Sequence, residues 1–147
     1  CAFYDLEQGL AYAEAAGNPV FLDFTGHTCA TCRYLEKNAW PDPELRRYIT
    51  EEYVLISLYT DDSEKLPEVE YGANGKKLRT VGDKWIQHQI DTYRSNAQPF
   101  YVLLDHDQSL LQPPMGFDPP LDVASYREFF AAGLEEFRQR HGMMAAE

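Results

Sequence analysis

Two cysteines separated by two residues, Cys29-Ala30-Thr31-Cys32, are the part of this sequence best suited to chemistry. They follow an apolar run, Val20 to Thr25, and open a stretch from Cys29 to about Ala39 in which Cys32, Leu35 and Ala39 share one helical stripe. This puts Cys29 at an exposed helix N-terminus, where the macrodipole and free backbone N–H groups favour its thiolate, and Cys32 one turn inward. Cys29 is then the attacking thiol. It opens a partner's disulfide to form a mixed disulfide, and Cys32 attacks Cys29 to release the reduced partner. Run backwards, the same steps oxidise a dithiol. A structural disulfide and half of a zinc site are the other readings of the pair. A structural zinc site needs two further ligands, and Cys1, His27, His88, His106 and His141 offer no second paired motif. Haem attachment fails because Arg33, not histidine, follows Cys32.

Other side chains are candidates through their position relative to that pair. Asp23 interrupts the apolar run Val20-Phe21-Leu22-Asp23-Phe24, where an unpaired carboxylate is costly to bury. It is the best candidate to take the Cys32 proton as that thiol attacks; an edge position or a plain salt bridge is the alternative. Glu36 lies one helical turn beyond Cys32, beside Leu35 and Ala39, and is either a second acid facing the sulfurs or part of a solvated face. Two neighbouring carboxylates raise each other's pKa and oppose the helix dipole at Cys29. Gln98-Pro99 precedes an apolar run, and a cis bond there could turn the backbone toward an incoming peptide, although a proline opening a strand is ordinary. His27 and Thr28 adjoin Cys29 and could tune it or touch a partner, or be plain loop residues. Cys1 has no second paired cysteine and reads as incidental, while Trp40, Tyr48, Tyr53 and Trp85 read as core.

The elements that must position these groups follow from hydrophobic period and Gly/Pro punctuation. Residues 5 to 16 predict an amphipathic helix stopped by Gly17-Asn18-Pro19, and Val20 to Thr25 a buried strand. The helix begun at Cys29 is kinked or broken by Pro41-Asp42-Pro43 before a helical stretch, Glu44 to Glu51. Tyr53 to Tyr59 and Phe100 to Asp105 predict two more strands, Leu110 to Gln112 a short fourth, and Val123 to Arg140 a closing helix. Between Tyr59 and Phe100, residues 61 to 77 are polar and turn-rich, and Arg79 to Tyr93 is helical again. The pattern predicts one α/β domain with a mixed central sheet flanked by helices, and an insertion between the second central strand and the proline-led strand.

Composition bounds the function. At 147 residues and 44% hydrophobic, the chain can bury one real core. With 24 acidic against 13 basic residues, its net charge of -11 repels phosphate backbones and anionic membranes, which argues against nucleic acid as a partner. No run approaches the roughly 18 to 20 apolar residues of a membrane span, and CAFYDLEQGL lacks the basic start and apolar stretch of a signal peptide. We therefore expect the chain as given to be soluble, with any targeting segment outside it. A monomer is expected, and nothing demands a metal or an organic cofactor.

The strand, the Cys-x-x-Cys helix, the interior acids and the late proline resemble the thioredoxin superfamily. More narrowly, residues 18 to 43 (NPVFLDFTGHTCATCRYLEKNAWPDP), 78 to 85 (LRTVGDKW) and 96 to 104 (NAQPFYVLL) are similar to the C-terminal periplasmic domain of the thiol:disulfide interchange protein DsbD. The resemblance implies a thioredoxin-like fold, with Cys29 and Cys32 as the redox pair, Asp23 and Glu36 as active-site acids and Pro99 as the cis-proline. It also implies a domain cut from a larger membrane protein, taking electrons from a membrane-embedded part and passing them to an N-terminal domain or to periplasmic partners such as isomerases and cytochrome c maturation proteins. The sequence departs from the most familiar members at Ala30-Thr31, at His27-Thr28 and in the 61 to 77 insertion. A free-standing thioredoxin-like reductase or isomerase is the alternative within chemistry, and a thioredoxin-fold binding module with an inert disulfide, or a redox-sensing interaction domain, the alternative outside it.

Overall fold

The computed structural model describes residues 2 to 143; Cys1, and with it the reading of that thiol as incidental, lies outside them. Strand β1 (Ala2–Phe3) leads into α1 (Leu6–Ala16) and β2 (Val20–Thr25). Asp5 caps α1 by accepting the Gln8 N–H, and Gly17 ends it at φ 74°, a left-handed conformation that a residue with a Cβ resists. Then come α2 (Ala30–Asn38) and α3 (Pro43–Arg47), which runs on as a π-helical turn at Tyr48–Glu52. The break between α2 and α3 is where the two prolines predict it, and Asp42 caps α3 with Pro43 in its first turn. Strand β3 (Val54–Tyr59), a hairpin of β4 (Lys65–Tyr71) and β5 (Lys77–Thr80), α4 (Val81–Tyr93), β6 (Phe100–Leu104) and α5 (Val123–Arg140) complete the chain.

The main sheet has the order β1-β3-β2-β6, with β6 antiparallel and the other pairings parallel. All six residues of β2 are buried, because strands flank it on both edges and helices cover both faces. Side chains alternate between those faces. Phe21 joins Tyr101 and Leu103 of β6 beneath α2, α3 and α5, whereas Val20, Leu22 and Phe24 pack with Val54, Ile56 and Leu58 against α1 and α4. The Phe21 ring lies 5.7, 5.0 and 4.9 Å from those of Trp40, Tyr101 and Phe130, and each such aromatic pair adds about 1 kcal/mol beyond burial. Tyr48, Tyr53 and Trp85 are buried as core residues, with Trp40 partly so.

Two local expectations are corrected, and a third stretch gains definition. Within the polar, turn-rich 61 to 77 stretch, residues 65 to 71 and 77 belong to the antiparallel β4–β5 hairpin, a small sheet of its own. Its β4 strand is largely exposed, so no apolar alternation marks it in the sequence. Arg79 and Thr80 belong to β5, and the helix starts at Val81 behind a capping box of Thr80 and Asp83. Leu110 to Gln112 form no strand, only an isolated bridge from Leu110 to Leu104. Pro113 and Pro114 follow directly and lack the N–H groups a ladder needs.

Candidate active site

The pairings bring the C-terminal ends of β2 and β3 and the N-terminal end of β6 to one pole of the sheet. The Cys29 loop, the Thr60–Asp62 segment and Gln98-Pro99 therefore converge there. Cys29 is the N-cap of α2, and its Sγ accepts the Cys32 N–H at 3.1 Å. The two sulfurs form a disulfide with Cα atoms 5.2 Å apart. Cys32 is 1% exposed while Cys29 is only partly covered, so an incoming thiolate meets Cys29 first.

Asp23 lies on the Phe21 and Thr25 face of β2, the face that α2 covers, in an interior strand and not at an edge. It is 2% exposed and accepts one hydrogen bond, from Ser57 Oγ at 3.3 Å. No salt bridge reaches it among the described residues. Burial above all, then the charge of Glu36, pushes its pKa up to about 7, against smaller lowering effects of Ser57 and Arg33. Glu36 is partly exposed, and its Oε2 accepts from an Arg33 Nη at 2.8 Å. The same nitrogen donates to Thr25 Oγ1 at 2.9 Å. Arg33 thus ties Glu36 to the end of β2, and the carboxylate is half of an ion pair on the rim of the site.

His27 and Thr28 are exposed, and the segment they form is clamped. Both of their N–H groups, at 2.8 and 3.0 Å, and the Thr28 hydroxyl, at 3.1 Å, donate to the carboxylate of Asp61. The His27 ring stacks on Tyr59 at 3.9 Å. Burial works to raise the Asp61 pKa, but these hydrogen bonds outweigh it and hold the group below the usual carboxylate range. Gly82, at the start of α4, supports the clamp from behind. A Cβ there would lie 2.7 Å from Thr60 O and from Asp62 N, so only glycine allows the helix to approach this closely. Gln98 Nε2 donates to Thr60 Oγ1, and the Gln98-Pro99 bond is cis, with Pro99 buried. On the other side of Cys29, Ala30, Tyr34, Phe117, Pro119, Pro120 and Leu121 line an apolar groove, across which the Tyr34 and Phe117 rings stand 5.9 Å apart.

The thioredoxin-like family model matches residues 2 to 106, most of the chain. The chain belongs to the thioredoxin-like family. Among solved structures this thioredoxin-like chain is similar to the DsbH oxidoreductase, at 17% identity over 88% of this chain and 82% of that one, with a TM-score of 0.59. It is similar to a thioredoxin from Thermus thermophilus, at 21% identity over 95% and 86%, with a TM-score of 0.54. The oxidised C-terminal domain of DsbD from Neisseria meningitidis matches at 19% identity over 90% and 99%, with a TM-score of 0.55. At these identities the likeness is one of fold. No curated protein matches the sequence.

The structure of this thioredoxin-like protein gathers Cys29, Cys32, His27, Thr28, Gln98 and Pro99 at one pole, with Asp23 beneath α2 and Glu36 on its flank. Asp61, Arg33 and Ser57 are the participants that sequence reasoning missed. Asp61 had one available signal: it lies two residues beyond the end of the second strand of a parallel pair, and so emerges beside the loop that follows the first. Among the described residues, no helix is long and apolar enough to cross a membrane.

Proposed function

We propose that this chain is a thiol:disulfide oxidoreductase, in which Cys29 attacks and Cys32 resolves. The observation that carries the reading is the asymmetry of the pair: a partly exposed sulfur at a helix N-cap is joined to a buried one a turn away, in a thioredoxin-like fold. The reduced domain donates the Cys29 thiolate to a partner disulfide. One partner sulfur leaves as a thiolate that takes its proton from water, and the other stays bonded to Cys29. Cys32 then loses its proton to Asp23, attacks Cys29 Sγ and expels the second partner sulfur as a thiolate, which takes up a proton from Asp23 or water; two electrons pass to the partner. A buried carboxylate with a pKa of about 7 suits that exchange near neutrality. The groove from Ala30 to Leu121 and the edge at Gln98-Pro99 receive the partner's polypeptide.

In the finer reading the chain is a relay domain on the periplasmic side of a bacterial inner membrane, tethered through a parent protein. It takes electrons from a membrane-embedded domain and passes them to an N-terminal domain and to periplasmic protein disulfides. The sequence similarity to the DsbD C-terminal domain over residues 18 to 43 supports it. The domain acts as a monomer, uses no cofactor beyond the Cys29–Cys32 disulfide, and binds neither nucleic acid nor the membrane directly.

The deciding experiment is equilibration in dithiothreitol or glutathione buffers of defined potential, followed by alkylation and intact mass. A reversible two-electron couple with Cys29 alkylated faster than Cys32 is expected. A disulfide that strong reductant cannot open in the folded protein would overturn the oxidoreductase reading. For the relay, the Cys32→Ser variant of the parent protein should trap a mixed disulfide between Cys29 and the membrane-embedded domain; failure to trap one would leave a free-standing reductase.

A further inference from the structure

The opposite pole of the sheet, where β6 ends and β2 begins, holds a second group of donor atoms. Asp105 follows β6, His106 comes next, and His141 stands at the end of α5. One donor atom from each lies within 4.8 Å of the others. Asp105 is 8% exposed, and its two oxygens are used differently. Oδ1 accepts the His106 N–H at 2.7 Å and lies 2.8 Å from His141 Nε2, whereas Oδ2 faces an Arg140 nitrogen at 3.6 Å. Arg140 is itself neutralised by Glu136 at 2.8 Å.

His106 supplies the independent observation. Its Nε2 lies 2.8 Å from the Asn18 carbonyl. A carbonyl only accepts, so Nε2 carries the hydrogen and, in the neutral ring, Nδ1 keeps its lone pair. An imidazole fixed through its far nitrogen to a backbone carbonyl is the arrangement that orients metal-ligating histidines. Both rings also pack on Phe137, His106 at 5.4 Å and His141 at 4.2 Å, which limits their rotation.

We propose that Asp105 Oδ1, His106 Nδ1 and His141 Nε2 bind a divalent transition metal of the zinc class. Two imidazoles and one carboxylate suit zinc, nickel or copper better than magnesium or calcium, which prefer all-oxygen shells. The 2.8 Å between Oδ1 and Nε2 is that of two donors about 2.1 Å from one ion at nearly a right angle, so a small outward turn of His141 reaches tetrahedral spacing. On binding, the Nε2 hydrogen of His141 passes to Nδ1 or, from the imidazolium, to water, which leaves the Nε2 lone pair for the ion; no electron moves, and water completes the shell. The ion then joins the end of α5 to the end of β6, and through His106 to the turn before β2.

The test is calorimetric titration of zinc chloride into the oxidised protein carrying Cys1→Ser, so that no thiol competes. One zinc per chain is expected, with a rise in melting temperature by linkage. His106→Gln and His141→Gln should each weaken binding by about 100-fold or more and abolish that rise. Melting of both variants in a chelator confirms that they fold. Absence of zinc binding, or binding of undiminished affinity in both folded variants, would overturn the proposal.

Discussion

The Asp23 carboxylate meets the Ser57 hydroxyl across the parallel β2–β3 pair, and among the described residues that 3.3 Å hydrogen bond is the only one it accepts. One neutral donor does not offset full burial, which is why the pKa stands at about 7. In the unfolded chain the group titrates near the ordinary carboxylate value of about 4. Between those values the folded state holds more protons than the unfolded one, so stability falls as pH rises. Urea unfolding of the oxidised protein should show wild type losing up to about 4 kcal/mol relative to Asp23→Asn between pH 4 and 8. Parallel curves would remove Asp23 as a buried titrating acid. The same variant should slow release of partner from the mixed disulfide, read as its accumulation in quenched samples.

The two cysteines should fail in different ways. Cys29→Ser is expected to abolish disulfide reduction, because the buried Cys32 is out of an incoming disulfide's reach. Cys32→Ser should instead retain the first step and accumulate a covalent adduct, visible by intact mass under non-reducing conditions. An adduct on Cys29→Ser, or none on Cys32→Ser, would contradict the assigned roles.

Asp61 should act on the cysteine loop without touching sulfur. Asp61→Ala removes three hydrogen bonds on an exposed carboxylate, so a stability loss of about 1 kcal/mol is expected. Amide exchange at His27 and Thr28 should accelerate, and turnover should drop. Because the folded pKa is depressed, this contribution is present above the unfolded value and is lost as pH falls through the folded one. Wild type and variant should therefore converge below about pH 4. Unchanged exchange at both amides would dismiss the clamp.

Gly82→Ala tests the same clamp from its far side. The added methyl meets backbone, not a flexible side chain, so the Thr60–Asp62 segment or α4 must move, at a cost of about 1–3 kcal/mol. Thermal unfolding should register that loss, and the His27 and Thr28 amides should again exchange faster although no hydrogen-bonding group was removed. A variant as stable as wild type would show that the segment shifts freely.

What the sequence made legible was whatever obeys a local rule. The apolar β2 run, the Cys-x-x-Cys helix and the Pro41/Pro43 break are each read from a few adjacent residues, and each stands as expected. The β4–β5 hairpin escaped because pairing of two exposed strands leaves no apolar period. Arg33 and Asp61 escaped for another reason. A surface charge has no signature of its own: the i,i+3 spacing of Arg33 and Glu36 permits an ion pair, but the contact of Arg33 with Thr25 and that of Asp61 with the His27-Thr28 backbone become evident only once the fold is assembled. Glu36 shows the limit of helical spacing: the turn count placed it near the sulfurs, and the ion pair with Arg33 decided where its charge rests.

The β4–β5 hairpin belongs to its own two-stranded sheet, and its tip at Gly72 to Gly75 is largely exposed. Among the described residues, β4 and β5 pair with no strand of the main sheet. The hairpin is therefore a ready-made handle: a fluorophore, an affinity tag or a tether to a surface placed at Asn74 would leave the disulfide pole untouched. Single-molecule or electrode studies of electron exchange could be built on that point.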